Sequence, residues 1–572
     1  MVRRCLFFVA LCLVAGQDTI SFSPEERHGN EEQEQHVEVD DVTWTTALLL
    51  ISFVVMSMGA VYLVHSSDVD IRKEGWTLIS TTMSIFCAAS IDFSICWMMI
   101  ICLAYVTGEK IDKHTDTWDF QLAVFLFACI IFLLLLLVLL DLSPEENMHF
   151  LTAATRLGSR ILAFASILFL GHVQKLTFFN QSWFAAFLVP CLALLFCMLA
   201  YPIAILAKRR EPEWWTRKKE RVDHVLQALQ EATAISVGFL LCQVACYVLS
   251  ESDVNKDKFM PIIGGPPGRH RPFSTTIFWT LACMLLSFSA IWTVRHRRMH
   301  SHRTMKRFLS NLVGLVTSNT GCWCLQRGGL ILFYQLCSDR MYDYQKHVLC
   351  KGTGHCEDFQ INPVKVTNRA TITNAAFMSV LSVVCILVMD KVADLCEGKG
   401  SMSPGQLQMD LGEEPCGSPC EPRAFLRGDL ESVGSASSEM ELDFQSMASS
   451  LRTVMGSFGV LVGICWNKAF ETAYAVILEH DSWSRMMSSN EEAKQFLEDN
   501  EIKVGLLLAS VGFVLSLFVL PGWYWYIMPF TLKEEAEHGA AISTEYQQFK
   551  LLELTKRKSA HVPSESSETD SA

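Results

Sequence analysis

Apolar residues recur along this chain in eleven runs, near 43–64, 76–106, 119–141, 157–173, 183–207, 233–250, 273–294, 308–335, 370–390, 451–479 and 503–526. Most hold about twenty residues, the length at which a helix crosses the roughly 30 Å hydrocarbon layer of a bilayer. The pattern predicts an all-α fold, a polytopic transmembrane helical bundle of about eleven spans. Trp44, Trp76, Trp118 and Trp183 open four runs, and Trp523 and Trp525 close the last, positions that suit indole in the headgroup layer. The run at 157–173 is short and flanked by Arg156 and Arg160, which sit at its end and are expected to snorkel.

Before the first run, residues 1–16 read as a secretory signal peptide, with basic Arg3 and Arg4, an apolar core over 5–15 and a small Gly16. An uncleaved anchor is the alternative. Either form leaves an acidic segment, 17–42, on the lumenal side. Alternating crossings then put two basic loops in the cytosol, one from Lys208 to Arg221 and one from Arg295 to Arg307, as the positive-inside rule requires. Anionic lipid headgroups are the expected contact of those loops. The resulting division is transmembrane helices 1–9 over 43–393, a disordered cytosolic linker over 394–450, helices 10–11 over 451–526 and a cytosolic tail over 527–572. The expected location is an integral membrane protein of the secretory pathway, in the plasma membrane or an endomembrane. Lumenal placement also makes Asn180, in Asn-Gln-Ser, a candidate glycosylation site. Cys337, Cys350 and Cys356 in the loop 336–369 offer one disulfide, with free thiols as the alternative.

The runs alternate in character. Those starting near 119, 183, 273, 370 and 503 are rich in Leu, Phe, Val and Ile, whereas those starting near 76, 157, 233, 308 and 451 carry small and polar residues. Copies of the second type all run from cytosol to lumen, which suggests parallel helical-hairpin repeats. Small residues form stripes on them: Thr81, Ser84, Ala88, Asp92 and Cys96; Ala234, Gly238, Cys242 and Cys246; Gly459, Gly463, Asn467 and Glu471. Close helix packing accounts for such stripes in a bilayer. Ionisable groups on the same faces point further, because an Asp, Lys or Arg at mid-membrane costs about 2.5–3.5 kcal/mol and must face protein or water. Asp92, Asn319, Gln326, Arg327, Asn467, Lys468 and Glu471 are the candidate lining of an intramembrane polar path. The alternative is a structural polar cluster in which Asp92 neutralises Arg327 and Lys468 neutralises Glu471.

Composition sharpens the class. Of 572 residues 51% are hydrophobic and only 19% charged, which argues against a soluble enzyme or a nucleic-acid binder. The net charge of -13 resides in extramembrane acidic segments and names no partner. Of the 21 cysteines most lie inside apolar runs, where they pack as small hydrophobes. No phosphate loop, H-E-x-x-H or G-x-S-x-G occurs, so no catalytic residue, cofactor or metal is assigned. The stretches Gly459–Phe470 (GVLVGICWNKAF) and Glu231–Phe239 (EATAISVGF) resemble uncharacterised multi-pass membrane proteins of dinoflagellate-type algae, a likeness that implies a multi-pass architecture and no particular activity. The leading functional expectation is a transporter or channel for a small ion or solute, its path among the small, polar-striped helices. The alternative is a non-transporting scaffold or receptor-like protein acting through the linker and tail.

Overall fold

Helices carry the described chain. The structure, a computed structural model, describes residues 41–107, 148–209, 219–250, 271–298, 304–353, 363–400, 450–452, 454–473, 476, 500–534 and 536–537, with 122, 125–127, 129 and 130. In chain order these form α1 (Asp41–Val64), α2 (Val69–Thr107), α3 (Met148–Lys175), α4 (Trp183–Arg209), α5 (Lys219–Leu249), α6 (Ser274–Arg298), α7 (Thr304–Thr353) and α8 (Pro363–Gly400). Then come α9 (Ser450–Ala473) and α10 (Asn500–Gly522), the latter continuing through a π-helical turn, Trp523–Ile527. Eight of them, α1, α2, α3, α5, α6, α8, α9 and α10, are long and apolar enough to cross a membrane. Among the described residues the fold is all-α, and these helices fit an integral membrane protein.

Among the described residues, eight of the eleven expected spans are thus matched. The run 119–141 lies largely outside the described residues. The side chains of α4 are described only as far as Leu199, and over them Trp183–Leu199 is an apolar helical segment. α7 holds the run 308–335, but Ser310, Asn311, Ser318, Asn319 and Gln326 make it too polar to count, and it is nevertheless buried through its middle.

Two layers result from the alternation of helix character. The five small and polar helices make a closed circuit: α2 packs on α3, α3 on α5, and α5 on α7. Ser318 Oγ of α7 donates to Ser457 Oγ of α9 (2.7 Å), and Thr82 Oγ1 of α2 donates to the Gly459 carbonyl of α9 (3.4 Å), closing the ring. All five helices run in one direction. Arg160 and Gln174 of α3 approach Glu231 and Leu240 of α5 in rising order, as do Gln230 and Ile235 of α5 with Phe308 and Trp323 of α7. Outside the ring, α10 lies on α2, α4 on α5, and α6 on α7, while α8 bridges α7 and α1. Their outward surfaces are apolar: Leu50, Phe53 and Met58 on α1, Leu192 and Phe196 on α4, Met284 and Ile291 on α6, Leu517 and Phe518 on α10. An aqueous surface so continuously apolar would associate, so this coat suits a lipid environment.

Where α1 turns into α2, one end of the bundle gathers ion pairs, and we call it the near face. Arg72 Nε meets Glu534 Oε1 at 2.7 Å, Arg452 pairs with Asp70, and Lys391 Nζ lies 2.7 Å from Asp394 Oδ2. With Lys391 Nζ also 3.6 Å from Asp68 Oδ2, these pairs join α2, α8, α9 and the end of α10 at one level. Several expected boundaries move outward accordingly. α8 continues to Gly400 and α10 to Glu534, into what the sequence assigned to linker and tail. The expected loop 336–369 is helical on both sides, since α7 runs to Thr353 and α8 starts at Pro363. Cys337 and Cys350 therefore sit on one helix about 20 Å apart, too far to be bridged to each other. Cys356, the segment 1–40 with the expected signal peptide, and residues 401–449 lie outside the described residues.

Candidate functional site

Close approach of α9 to α2 builds one wall of the ring. A Cβ at Gly459 would lie 2.8 Å from Thr81 Cβ, and one at Gly463 2.9 Å from Ile85 Cβ, so only glycine permits this spacing. Gly238 does the same between α5 and α7, where a Cβ would meet the Thr320 nitrogen at 3.0 Å. At these positions the small-residue stripes act as packing seams.

Inside the ring, Arg160 of α3 is buried and donates to Ser84 Oγ and, at 3.4 Å, to Thr81 Oγ1 on α2, with the Glu231 carboxylate of α5 near enough to act on its charge. Groups from three helices thus converge on the face of α2 that bears Thr81 and Ser84. Asp92 continues that face through Ala88 at i+4 steps. It is 2% exposed, and its Oδ2 has no hydrogen-bond partner. Thr81 and Ile85 sit against Gly459 and Gly463 on the parallel α9, so Asp92 and Glu471, seven and eight residues further on, stand at about the same level.

Of the residues expected to line a path, Asn467, Lys468 and Glu471 lie half-buried on α9, and Lys468 Nζ holds Glu471 Oε2 at 3.1 Å, the pairing the sequence suggested. The other suggested pair is not made. Arg327 is fully buried on α7 but reaches the Cys246 thiol of α5, beside Cys242 and Cys324. Asn319 donates to the Leu315 carbonyl of its own helix (2.8 Å), its side-chain oxygen buried against the α5 seam without a partner. Gln326 is buried too, and its carbonyl accepts from Asn374 Nδ2 at 3.3 Å. The seven residues therefore form three groups: Asp92 in the ring, Asn467 with Lys468 and Glu471 on α9, and Asn319 with Gln326 and Arg327 along α7. Asn180 is 5% exposed in the α3–α4 turn, where Tyr247 donates to its carbonyl (3.0 Å), so its amide is not presented for glycosylation.

Three features run against the sequence expectations. Arg160 does not snorkel: α3 begins at Met148, so the residue lies in the helix body and points into protein. Trp523 is not a headgroup anchor but donates to Ser80 Oγ (3.0 Å) from a buried site, whereas Trp183 and Trp525 are exposed. And α8, expected to be plainly apolar, carries a buried stripe of Asn368, Thr371, Ser379, Ser382 and Asp390 at helical spacing. Asn368 Nδ2 donates to Thr45 Oγ1 (2.8 Å), Thr371 pairs with Thr472, and Trp466 Nε1 donates to Ser379 Oγ (2.9 Å). The steps of three and eight residues, which return to one helix face, were readable in the sequence.

Neither a protein-family model nor a curated protein nor a solved structure matches the chain. The arrangement must be read from its chemistry. A ring interior holding a buried carboxylate, a guanidinium and hydroxyls can bind a small charged or polar species. No set of nucleophile, base and oxyanion donors comes together among the described residues named above.

Proposed function

We propose that the five-helix ring carries a small ion or solute across the membrane, with Asp92 as the group that binds it. One observation supports this above the rest: the five polar-striped helices enclose a common interior, and a carboxylate oxygen on that interior face is buried without a hydrogen bond. A buried unsatisfied acceptor is costly unless water, a proton or an ion satisfies it. Glu471 at a similar level supplies a second acid, restrained by Lys468. The near face is the cytosolic one in this reading. The basic residues Arg209, Lys219, Arg295 and Arg298 end or begin α4, α5 and α6 there, which agrees with the positive-inside rule.

The competing reading, a non-transporting scaffold, is favoured by the closed Lys468–Glu471 pair and by the tight glycine seams. Reconstitution into liposomes separates the two. Flux of protons, sodium, potassium, calcium and chloride is measured for the wild type and for Asp92→Asn and Glu471→Gln. The transport reading expects flux of at least one ion, reduced about tenfold or more by Asp92→Asn, the size of effect of losing one charge-assisted contact. Equal flux in both variants removes the site, and no flux for any ion leaves the scaffold.

A further inference from the structure

At the near face the α1–α2 turn and the end of α8 bring three carboxylates together. Oxygens of Asp68, Asp70 and Asp390 all lie within 4.8 Å of one another. An acidic cluster at a helix start is common, and Asp68 Oδ1 is already engaged by the Asp70 N–H (3.1 Å). Asp390 sets this one apart. It is wholly buried, it turns into the cluster from the α8 stripe, and neither of its carboxylate oxygens has a hydrogen-bond partner. The nearest cation is Lys391, whose Nζ stands 3.7 Å from Asp390 Oδ2 and 3.6 Å from Asp68 Oδ2. That lysine is 63% exposed and hydrogen-bonds Asp394 at 2.7 Å. Arg452 engages Asp70. Among the described ion pairs, four carboxylates, Asp68, Asp70, Asp390 and Asp394, thus face two cations, Lys391 and Arg452, an excess of two negative charges.

We infer that Asp68, Asp70 and Asp390 bind a hard divalent cation, calcium or magnesium. An all-carboxylate donor set selects such ions over the thiolate-seeking metals. One divalent ion balances the excess charge. Calcium–oxygen bonds of about 2.3–2.6 Å place ligands on opposite sides of the ion about 5 Å apart, close to the spread of these oxygens. Water completes the shell through Asp68, whose side chain is one-third exposed. The ion ties the α1–α2 turn to α8 beside Arg452 of α9. Binding there does not depend on the ring conducting anything, so the two proposals can fail separately.

The test uses the purified full-length chain in detergent, titrated with calcium chloride and separately with magnesium chloride by isothermal calorimetry, with thermal unfolding followed at each concentration. The wild type is expected to bind one equivalent of at least one ion and to unfold at higher temperature in its presence. Asp390→Asn should lose binding. Lys391→Gln removes a competing charge from an exposed side chain and should bind the ion at least about threefold more tightly. No binding by the wild type up to about 10 mM of either ion, weaker than the millimolar range of extracellular calcium modules, overturns the inference. So does binding by Asp390→Asn equal to that of the wild type. If Asp390→Asn does not fold, the Lys391→Gln titration decides, and an unchanged affinity there is equally fatal.

Discussion

Arg160 concentrates the energetics of the ring interior in one side chain. A guanidinium removed from water keeps its charge, so its fork must be met by acceptors, and Ser84, Thr81 and the field of Glu231 supply them. Truncation to alanine removes the donor to those hydroxyls and opens a hole, with a cost expected near 2–4 kcal/mol. Ser84→Ala should cost less, and the double variant less than the sum of the two, measured by chemical unfolding in detergent as a double-mutant cycle. Asp92 was conspicuous in the sequence because a lone acid in an apolar run has no cheap explanation. Arg160 was not, because hydropathy falls wherever a charge stands, and Arg156 and Arg160 made the start of the run at 157 look like the edge of a span. The helix itself starts nine residues before that run, at Met148. Charge marks the edge of an apolar run, not the edge of a helix.

Helices show the same contrast between pattern and partner. The Gly459–Gly463 step was legible as a packing motif, and it packs, against Thr81 and Ile85. Gly463→Val should therefore force α9 away from α2 and destabilise the protein by about 1–3 kcal/mol. Gly456, two turns before Gly463 on the same helix, meets nothing within 4 Å of an added Cβ. Gly456→Ala should be neutral or stabilising by up to about 1 kcal/mol, since alanine is the better helix former. Comparing the two variants by thermal unfolding distinguishes a specific seam from a general need for glycine. The polar stripe of α8 was missed for an arithmetic reason. Asn368, Ser379, Ser382 and Asp390 are spread over a span otherwise filled by Val, Leu, Ile and Met, so composition averaged over the run hides a face. α7 errs in the opposite direction, its many polar residues making it look unlike a span although its middle is enclosed by protein.

At the scale of the whole molecule, alternation of helix type was visible in the sequence, and so was the common direction of the polar helices. Closure was not. Which helix adjoins which depends on pairs such as Ser318 with Ser457, 139 residues apart in the chain, and no local pattern encodes them. The arrangement makes a prediction about sides. Cysteines introduced at Asp394 and Lys533 should react with a membrane-impermeant maleimide from one face of sealed vesicles, and one at Ser182 only from the other. The exposed native Cys191 and Cys283, and the native cysteines outside the apolar runs, would be replaced first. Labelling of all three from the same side would contradict the bundle as described.

Parallel order within the ring has an electrostatic consequence. Each helix carries about half a positive charge at its N-terminus and half a negative charge at its C-terminus. In an antiparallel bundle these cancel between neighbours, but α2, α3, α5, α7 and α9 add theirs, with the opposed outer helices a layer further from the axis. The interior is therefore polarised before any side chain is counted: amide hydrogens gather at the near end and peptide oxygens at the far end, towards which Asp92 and Glu471 are placed. A positive species travelling along the axis would find a built-in slope drawing it to those acids, and a negative one would find a barrier.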